Sequence, residues 1–141
     1  MIVTVLVDPA ADVAEAVKSL LHYTGKKFGG ESLVTTVVRD NEPSTMTVCS
    51  AVFPNKSVRV FRPDFDRFGR GAPAKFAEEI MRMSEYMVIV RAKGSEGGTN
   101  IVAALEVFRG SSVPYVVIDV TSKAPEVPAA PESPEANSDA A

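Results

Sequence analysis

The order of apolar and amphipathic segments along the chain predicts an α/β fold, a three-layer Rossmann-like sandwich of about five mostly parallel strands and about four helices. Short apolar runs alternate with segments whose apolar residues recur at helical spacing. The run 86–90 is apolar throughout, which is typical of a central strand covered on both faces. Strands that alternate with helices are joined by right-handed crossovers, so we expect one mostly parallel sheet between two helical layers.

Five runs predict the strands, and four apolar stripes predict the helices. The predicted strands are residues 2–7, 33–38, 57–61, 86–90 and 113–120. The stripes contain Val13, Val17, Leu20 and Leu21 in the first helix, Met46, Cys49 and Phe53 in the second, Phe76, Ile80 and Met83 in the third, and Ile101, Ala104, Leu105 and Phe108 in the fourth. We expect Gly25, Gly29 and Gly30 to break the first helix, and Asn41-Glu42-Pro43-Ser44 to begin the second.

The composition excludes several classes of protein. The 15 Lys and Arg residues against 18 Asp and Glu give a formal net charge of -3, which disfavours a sequence-independent binder of duplex nucleic acid. Cys49 and His22 are the single cysteine and histidine, so we expect neither a disulfide framework nor a Cys/His metal site. No apolar run approaches the roughly 18 residues that span a bilayer. The opening MIVTVLV lacks a basic leader, so we expect a strand there and a cytoplasmic protein without membrane contact.

Residues 122–141 differ in composition from the rest of the chain. They contain Pro125, Pro128, Pro131 and Pro134 among Ala, Ser and Glu, and Val127 is their one bulky apolar residue. So little apolar surface cannot offset the entropy lost on ordering, so we expect a disordered tail after a Rossmann-like domain at 1–121. The acidity of the tail favours a solubilising role, with a partner-binding motif as the alternative.

The candidate binding residues lie in loops after the predicted strands, because ligands of open parallel sheets bind beyond the carboxyl ends of the strands. The loop 93–99 follows the continuously apolar strand and begins a helix. Its Gly97 and Gly98 let a ligand approach the backbone, and the free N–H groups of a helix start favour an anion such as phosphate. Ser95 and Thr99 add hydroxyl donors. The alternative without a ligand is a tight turn capped by Thr99.

The loop after the third predicted strand carries mixed charge between two aromatic residues. Its candidate binding residues are Arg62, Asp64, Phe65, Gly69 and Arg70, because such a loop could stack a base and hold a phosphate or a ribose. The alternative is a solvated lid over the sheet edge.

Asp8 is the candidate residue after the first predicted strand. Its carboxylate could bond a ribose, or Asp8-Pro9 could simply begin a helix.

Two ordered motifs carry a resemblance to a known family. Pro63-Asp64-Phe65 with Gly69 stand where a P-D-W-x-x-x-G loop precedes a helix, and Ser95 with Gly98-Thr99 stand where an S-x-G-T turn follows a central strand. The stretch 62–120 therefore resembles the SLOG superfamily of Rossmann-like nucleotide-binding proteins, and most closely its YspA-like branch. The resemblance implies that these loops form a nucleotide site.

The chain departs from the pattern of that family at three places. Residues 39–44 stand where a glycine-rich turn usually cradles the phosphate, so either Asn41 and Ser44 replace it or this half of the pocket is altered. The Arg-Asn pair of the branch is Lys75-Phe76 here. Phosphoribohydrolase and deoxyribosyltransferase relatives place a catalytic Glu three residues after the Thr, where this chain has Val102. Without that carboxylate, nothing obvious activates water or captures an anomeric carbon.

We therefore expect binding of a nucleotide or a nucleotide-derived small molecule, without efficient catalysis and without a cofactor. One alternative is an enzyme acting on an N-glycosidic bond, in which Asp64, Asp66 or Glu106 replaces the absent Glu. The other is a protein-interaction module on a degenerate nucleotide-binding fold, such as a phage protein. The sequence leaves open which ligand is bound and whether the chain forms a homo-oligomer.

Overall fold

A computed structural model describes residues 1–123, and the remainder of the predicted tail, 124–141, lies outside the described residues. Five parallel strands form one sheet in the order β3-β2-β1-β4-β5. They are β1 (Ile2–Val7), β2 (Thr36–Arg39), β3 (Ser57–Val60), β4 (Tyr86–Ala92) and β5 (Tyr115–Val120). The predicted fold class is confirmed, and all strand pairs of the sheet are parallel.

Four helices of ten residues or more cover the two faces of the sheet. They are α1 (Val13–Phe28), α2 (Pro43–Val52), α4 (Ala72–Met83) and α5 (Thr99–Arg109); the single-turn α3 (Phe65–Phe68) and 3-10 turns at Glu31–Leu33 and Gly69–Gly71 complete the described elements. Alternate residues of β1 explain the layering, since Val3 and Val5 pack with α1 and α2, whereas Leu6 packs with α4 and α5. The sheet is therefore the middle of three layers. Within residues 1–123, no helix has the length and apolarity to cross a membrane.

The strand β4 is an interior strand of the sheet, next to the middle strand β1. It pairs with β1 on one side and with β5 on the other, and residues 86–90 are all buried. By contrast, every residue of the edge strand β3 is exposed. Helices cover both faces of a parallel sheet, so both faces of an interior strand are buried. This explains why apolar and polar residues do not alternate along β4.

The prediction that Gly25 breaks the first helix is wrong. Helix α1 continues to Phe28 and ends at Gly29, whose φ of +74° is the left-handed conformation of many helix C-termini. A glycine within a helix costs only about 1 kcal/mol, and the buried stripe Ala16, Leu20, Thr24 and Phe28 extends past it. The predicted inward position of Leu21 is also wrong, because Leu21 lies off this stripe and is 49% exposed.

Two further boundary predictions need correction. Met46 is exposed, because the buried side of α2 is formed by Thr45, Val48, Cys49 and Val52. The second strand begins at Thr36 rather than at residue 33, since a 3-10 turn occupies Glu31–Leu33 and leaves Leu33 exposed. Short apolar runs give the existence of an element more reliably than its bounds.

Ser122 and Lys123, which the composition assigned to the tail, are bonded to the rest of the domain. Ser122 forms an antiparallel bridge with Ala11, and the N–H of Lys123 donates to the carbonyl of Ala10 at 2.9 Å. The N–H of Asp12 also donates to the carbonyl of Thr121 at 2.9 Å. Residues 121–123 are therefore bonded to the loop that precedes α1, and this pairing of residues distant in sequence has no local signal.

Candidate functional site

The strand order places a crevice between the carboxyl ends of β1 and β4. The chain passes from β1 to β2 and β3 on one side, and then returns to β4 on the other side of β1. Ligands of open α/β sheets bind at such a reversal. The loops that border it are residues 8–12, after β1, and residues 93–98, after β4.

The carboxylate of Asp8 joins the loop after β1 to the last residue of β4. Asp8 is 2% exposed; its Oδ1 accepts a hydrogen bond from the N–H of Ala10 at 2.9 Å, and its Oδ2 accepts one from the N–H of Ala92 at 3.0 Å. The interpretation that Asp8 begins α1 is wrong, because Asp12 is the N-cap and accepts from the N–H of Glu15. Both oxygens of Asp8 bind the protein's own backbone, and its contact with a ribose stays a prediction.

The two glycines before α5 have different structural roles. Gly97 is buried with a φ of +106°, and a Cβ at this position would lie 2.5 Å from Cγ2 of Ile101. Gly98 has a φ of +90° but is exposed, and its Cβ would meet only Cδ of Pro9 at 3.8 Å. The protein's own packing therefore requires Gly97, whereas Gly98 leaves backbone open to solvent. Ser95 forms a hydrogen bond within the loop, since its Oγ accepts from the N–H of Gly97 at 3.0 Å.

The first turn of α5 begins without a side-chain cap. Gly98 occupies the N-cap position and Thr99 is the first helical residue, so the interpretation of Thr99 as the cap is wrong. The first hydrogen bond of the helix runs from the N–H of Val102 to the carbonyl of Gly98. The N–H groups of residues 99–101 precede this bond and point out of the helix start, where the helix dipole favours an anion.

Side chains that the sequence did not single out fix the helices around the crevice. Asp40 directly follows β2 and is 1% exposed; its Oδ2 accepts from Nδ2 of Asn100 on α5 at 3.1 Å. Thr45 is buried on α2, and its Oγ1 accepts from the N–H of Val7 at 2.9 Å. Of the residues predicted to replace a glycine-rich turn, Ser44 donates to the carbonyl of Val7 at 3.2 Å, whereas Asn41 is exposed.

A cleft of about 560 Å³, here named the α4–α5 cleft, extends from the start of α5 along the side of that helix. Its polar lining consists of Arg70, Glu96, Gly98, Thr99 and Glu106. Its apolar lining consists of Pro73 and Ala74 from α4 and Val102, Ala103 and Val107 from α5. The structure thus brings together three predicted site residues, Arg70, Gly98 and Thr99, and adds Glu96, which sequence reasoning missed.

Arg62 and Asp64 lie in a different cleft from Thr99. This second cleft, of about 650 Å³, is named the α3 cleft and is lined by Arg62, Asp64, Asp66, Arg67, Phe68 and Lys75 among others. Asp64 is the N-cap of α3, and its Oδ1 accepts from the N–H of Arg67 at 3.1 Å. Arg62 and Asp64 therefore line the α3 cleft, whereas Arg70 lines the α4–α5 cleft.

The two aromatic residues of this loop lie in different surroundings. Phe65 is 56% exposed and is not a lining residue of either cleft. Phe68 lines the α3 cleft, but the guanidinium of Arg67 lies 5.0 Å from its ring centroid and the amine of Lys75 lies 5.8 Å from it. Gly69, with a φ of +55°, joins α3 to the following 3-10 turn. The stacking contact predicted for Phe65 stays a prediction.

Cys49 has the properties of a core residue. It is 4% exposed on α2, and burial raises the pKa of its thiol to about 12. A thiol is nucleophilic as the thiolate, so Cys49 is protonated and unreactive near neutral pH. Among the described residues, no group of three or more His, Cys, Asp or Glu side chains could hold a metal ion.

Comparisons with known proteins found no match, whether against family models, curated proteins or solved structures. The resemblance to the SLOG superfamily stays a prediction. The arguments about function therefore depend on the geometry of the crevice and of the α4–α5 cleft.

Proposed function

We propose that the protein binds a nucleotide in the α4–α5 cleft, with a phosphate group at the start of α5. The observation that carries this proposal is that the uncapped first turn of α5 and Arg70 line the same cleft. Backbone N–H groups and a guanidinium are both strong donors to phosphate oxygens, and Arg binds them in a bidentate manner. The position of the cleft beside the reversal in strand order supports the same function.

The size and the apolar lining of the cleft suit the rest of a nucleotide. Its volume of about 560 Å³ falls in the range of small-molecule sites, roughly 300–1,000 Å³. Pro73, Ala74, Val102 and Ala103 provide apolar surface for a base beyond the phosphate end. The cleft therefore offers hydrogen-bond donors at the helix start and apolar contact along its length.

The positions of the carboxylates favour binding over cleavage of an N-glycosidic bond. Asp64 and Asp66 line the α3 cleft, so they are separated from the phosphate end of the α4–α5 cleft. Glu106 lines the α4–α5 cleft but lies seven positions after Thr99, which corresponds to about 10 Å along the helix axis. That distance places Glu106 beyond the sugar of a nucleotide whose phosphate contacts Thr99.

The test is calorimetry with four nucleoside monophosphates, ADP-ribose and the corresponding nucleosides. We expect the monophosphates to bind and the nucleosides to bind at least about tenfold more weakly, because the phosphate makes charge-assisted hydrogen bonds. Arg70→Ala should weaken nucleotide binding by about tenfold. Arg67→Ala is the matched control, since Arg67 lines the α3 cleft.

Two results would contradict the proposal. One is that no nucleotide binds below millimolar concentration. The other is that Arg67→Ala weakens binding as much as Arg70→Ala, which would place the ligand in the α3 cleft. Chromatography of the same mixtures for free base tests the enzymatic alternative, and release of base above a protein-free blank would favour it.

A further inference from the structure

The α4–α5 cleft has opposite electrostatic character at its two ends. Thr99 and Glu106 are seven residues apart on α5, two helical turns, and both line the cleft. The helix start attracts an anion at one end, whereas the carboxylate of Glu106, two turns further along α5, repels one. The separation of about 10 Å along the axis matches the length of an extended nucleoside monophosphate from its phosphate to the far edge of its base.

Small side chains line the cleft between these ends. Ala74 on α4 and Ala103 on α5 both line it, and Val102 and Pro73 add apolar surface. Small residues on the two packed helices leave a groove along which a flat ring can lie, and the apolar surface favours its burial. A base in this position would direct its outer edge along α5 toward Glu106.

A carboxylate at that edge selects among bases by hydrogen-bond chemistry. An ionised carboxylate accepts hydrogen bonds and donates none. Guanine offers two adjacent donors, N1–H and the N2 amino group, which fit the two oxygens of a carboxylate. Adenine and cytosine place an acceptor nitrogen beside their amino group, and hypoxanthine has the N1–H without the amino group. Guanine is therefore the base that a carboxylate in this position suits best.

We propose that the α4–α5 cleft selects guanine mononucleotides, with the carboxylate of Glu106 accepting hydrogen bonds from N1–H and N2–H of the base. This inference rests on the proposed function and specifies its ligand. Glu96 lines the phosphate end of the same cleft. Glu106 is thus the carboxylate at the base end.

The test compares GMP, IMP and AMP by calorimetry with the full chain. GMP should bind about tenfold more tightly than IMP and AMP, because a correctly paired bidentate contact discriminates between bases by about that factor. Glu106→Gln should reduce GMP affinity to that of IMP and leave IMP and AMP within about twofold. Glu79→Gln is the matched control, because Glu79 is an exposed carboxylate on α4 that lines the α3 cleft.

The outcomes separate this inference from the proposed function. Equal binding of the three nucleotides, or an unchanged preference for GMP in Glu106→Gln, would overturn the selection of guanine alone. Absence of binding by all three would overturn both proposals. The comparison of GMP with IMP needs no variant, and Glu106 is exposed, so neither result depends on how a substitution affects folding.

Discussion

The buried carboxylate of Asp8 accepts a hydrogen bond from the backbone N–H of Ala92 at 3.0 Å, and this bond connects the loop after β1 to the last residue of β4. The other oxygen of Asp8 accepts from the N–H of Ala10 at 2.9 Å. One side chain therefore satisfies two backbone donors on either side of the crevice. The geometry of the loop that precedes α5 depends on it.

Asp8→Ala should lower the free energy of unfolding by about 3 kcal/mol, because two N–H groups lose their acceptors and that of Ala92 lies in a buried residue. Asp8→Asn keeps one acceptor oxygen and should lower the free energy of unfolding by less. Urea denaturation measures both. Asp12→Ala, which removes the cap of α1, should cost only about 1 kcal/mol. An equal loss for Asp8→Ala and Asp12→Ala would contradict the role given to Asp8.

Gly97→Ala should destabilise the protein more than Gly98→Ala. Both positions have a positive φ, which costs an alanine about 1–3 kcal/mol, but only at Gly97 would the new Cβ overlap Ile101, at 2.5 Å from Cγ2. We therefore expect Gly97→Ala to lower the free energy of unfolding by about 1–3 kcal/mol more than Gly98→Ala does. Thermal and urea unfolding give the two values. Similar losses would show that Ile101 moves away at little cost.

Asn100→Ala should destabilise the protein by about 2 kcal/mol. The substitution removes the donor that Oδ2 of Asp40 uses, and the carboxylate of Asp40 is buried. Asn41→Ala is the control, since Asn41 is exposed and an exposed substitution changes stability by about 0.5 kcal/mol or less. Urea denaturation of the two variants compares their free energies of unfolding. An unchanged free energy of unfolding in Asn100→Ala would show that the bond to Asp40 does not fix α5.

Glu96→Gln should strengthen nucleotide binding by about twofold to fivefold. Glu96 and Thr99 line the same cleft, so the carboxylate repels a phosphate bound at the helix start. Added salt should reduce the difference, because it screens the repulsion between exposed charges. Calorimetry with a nucleotide and with its nucleoside measures the effect, and the affinity for the nucleoside should stay unchanged. Weaker nucleotide binding in Glu96→Gln would place the phosphate elsewhere.

Cys49 should make stability fall with pH in the alkaline range. Burial raises the pKa of the thiol from 9.0 to about 12, so the folded state favours the protonated form. This contribution is fully present below about pH 9 and is lost as the pH rises from about 9 toward about 12. Between about pH 8 and about pH 10.5, the free energy of unfolding of the protein should fall by roughly 2 kcal/mol more than that of Cys49→Ala. Urea titrations at the two pH values measure the free energy of unfolding. An equal loss in the protein and in Cys49→Ala would contradict the assignment of this effect to Cys49.

The sequence predicted the architecture because that depends on patterns repeated along the chain. The composition of residues 86–90 identified an interior strand, and the stripe from Ile101 to Phe108 identified α5. The end of α1 was missed because Gly25 is a local signal for a break, whereas the burial of Phe28 is a tertiary effect that outweighs it.

The candidate site was predicted in part. Gly98, Thr99 and Arg70 line one cleft, as expected of a glycine-rich turn near a charged loop. The hydrogen bond between Asp40 and Asn100 joins residues 60 positions apart, so no local pattern could indicate it. The four-residue helix that separates Asp64 from Arg70 is too short for a helical period to appear in the sequence.

The strand order also constrains how the chain acquires its structure during synthesis. β1 leaves the ribosome first, but one of its neighbours, β4, begins only at Tyr86. A nascent chain that includes β1 to β3 therefore carries a hydrophobic strand with one unpaired backbone edge, the kind of edge that recruits other chains into aggregates. Fragments that stop before Tyr86 should accordingly precipitate, and a chaperone that binds extended apolar segments would find its target at residues 2–7.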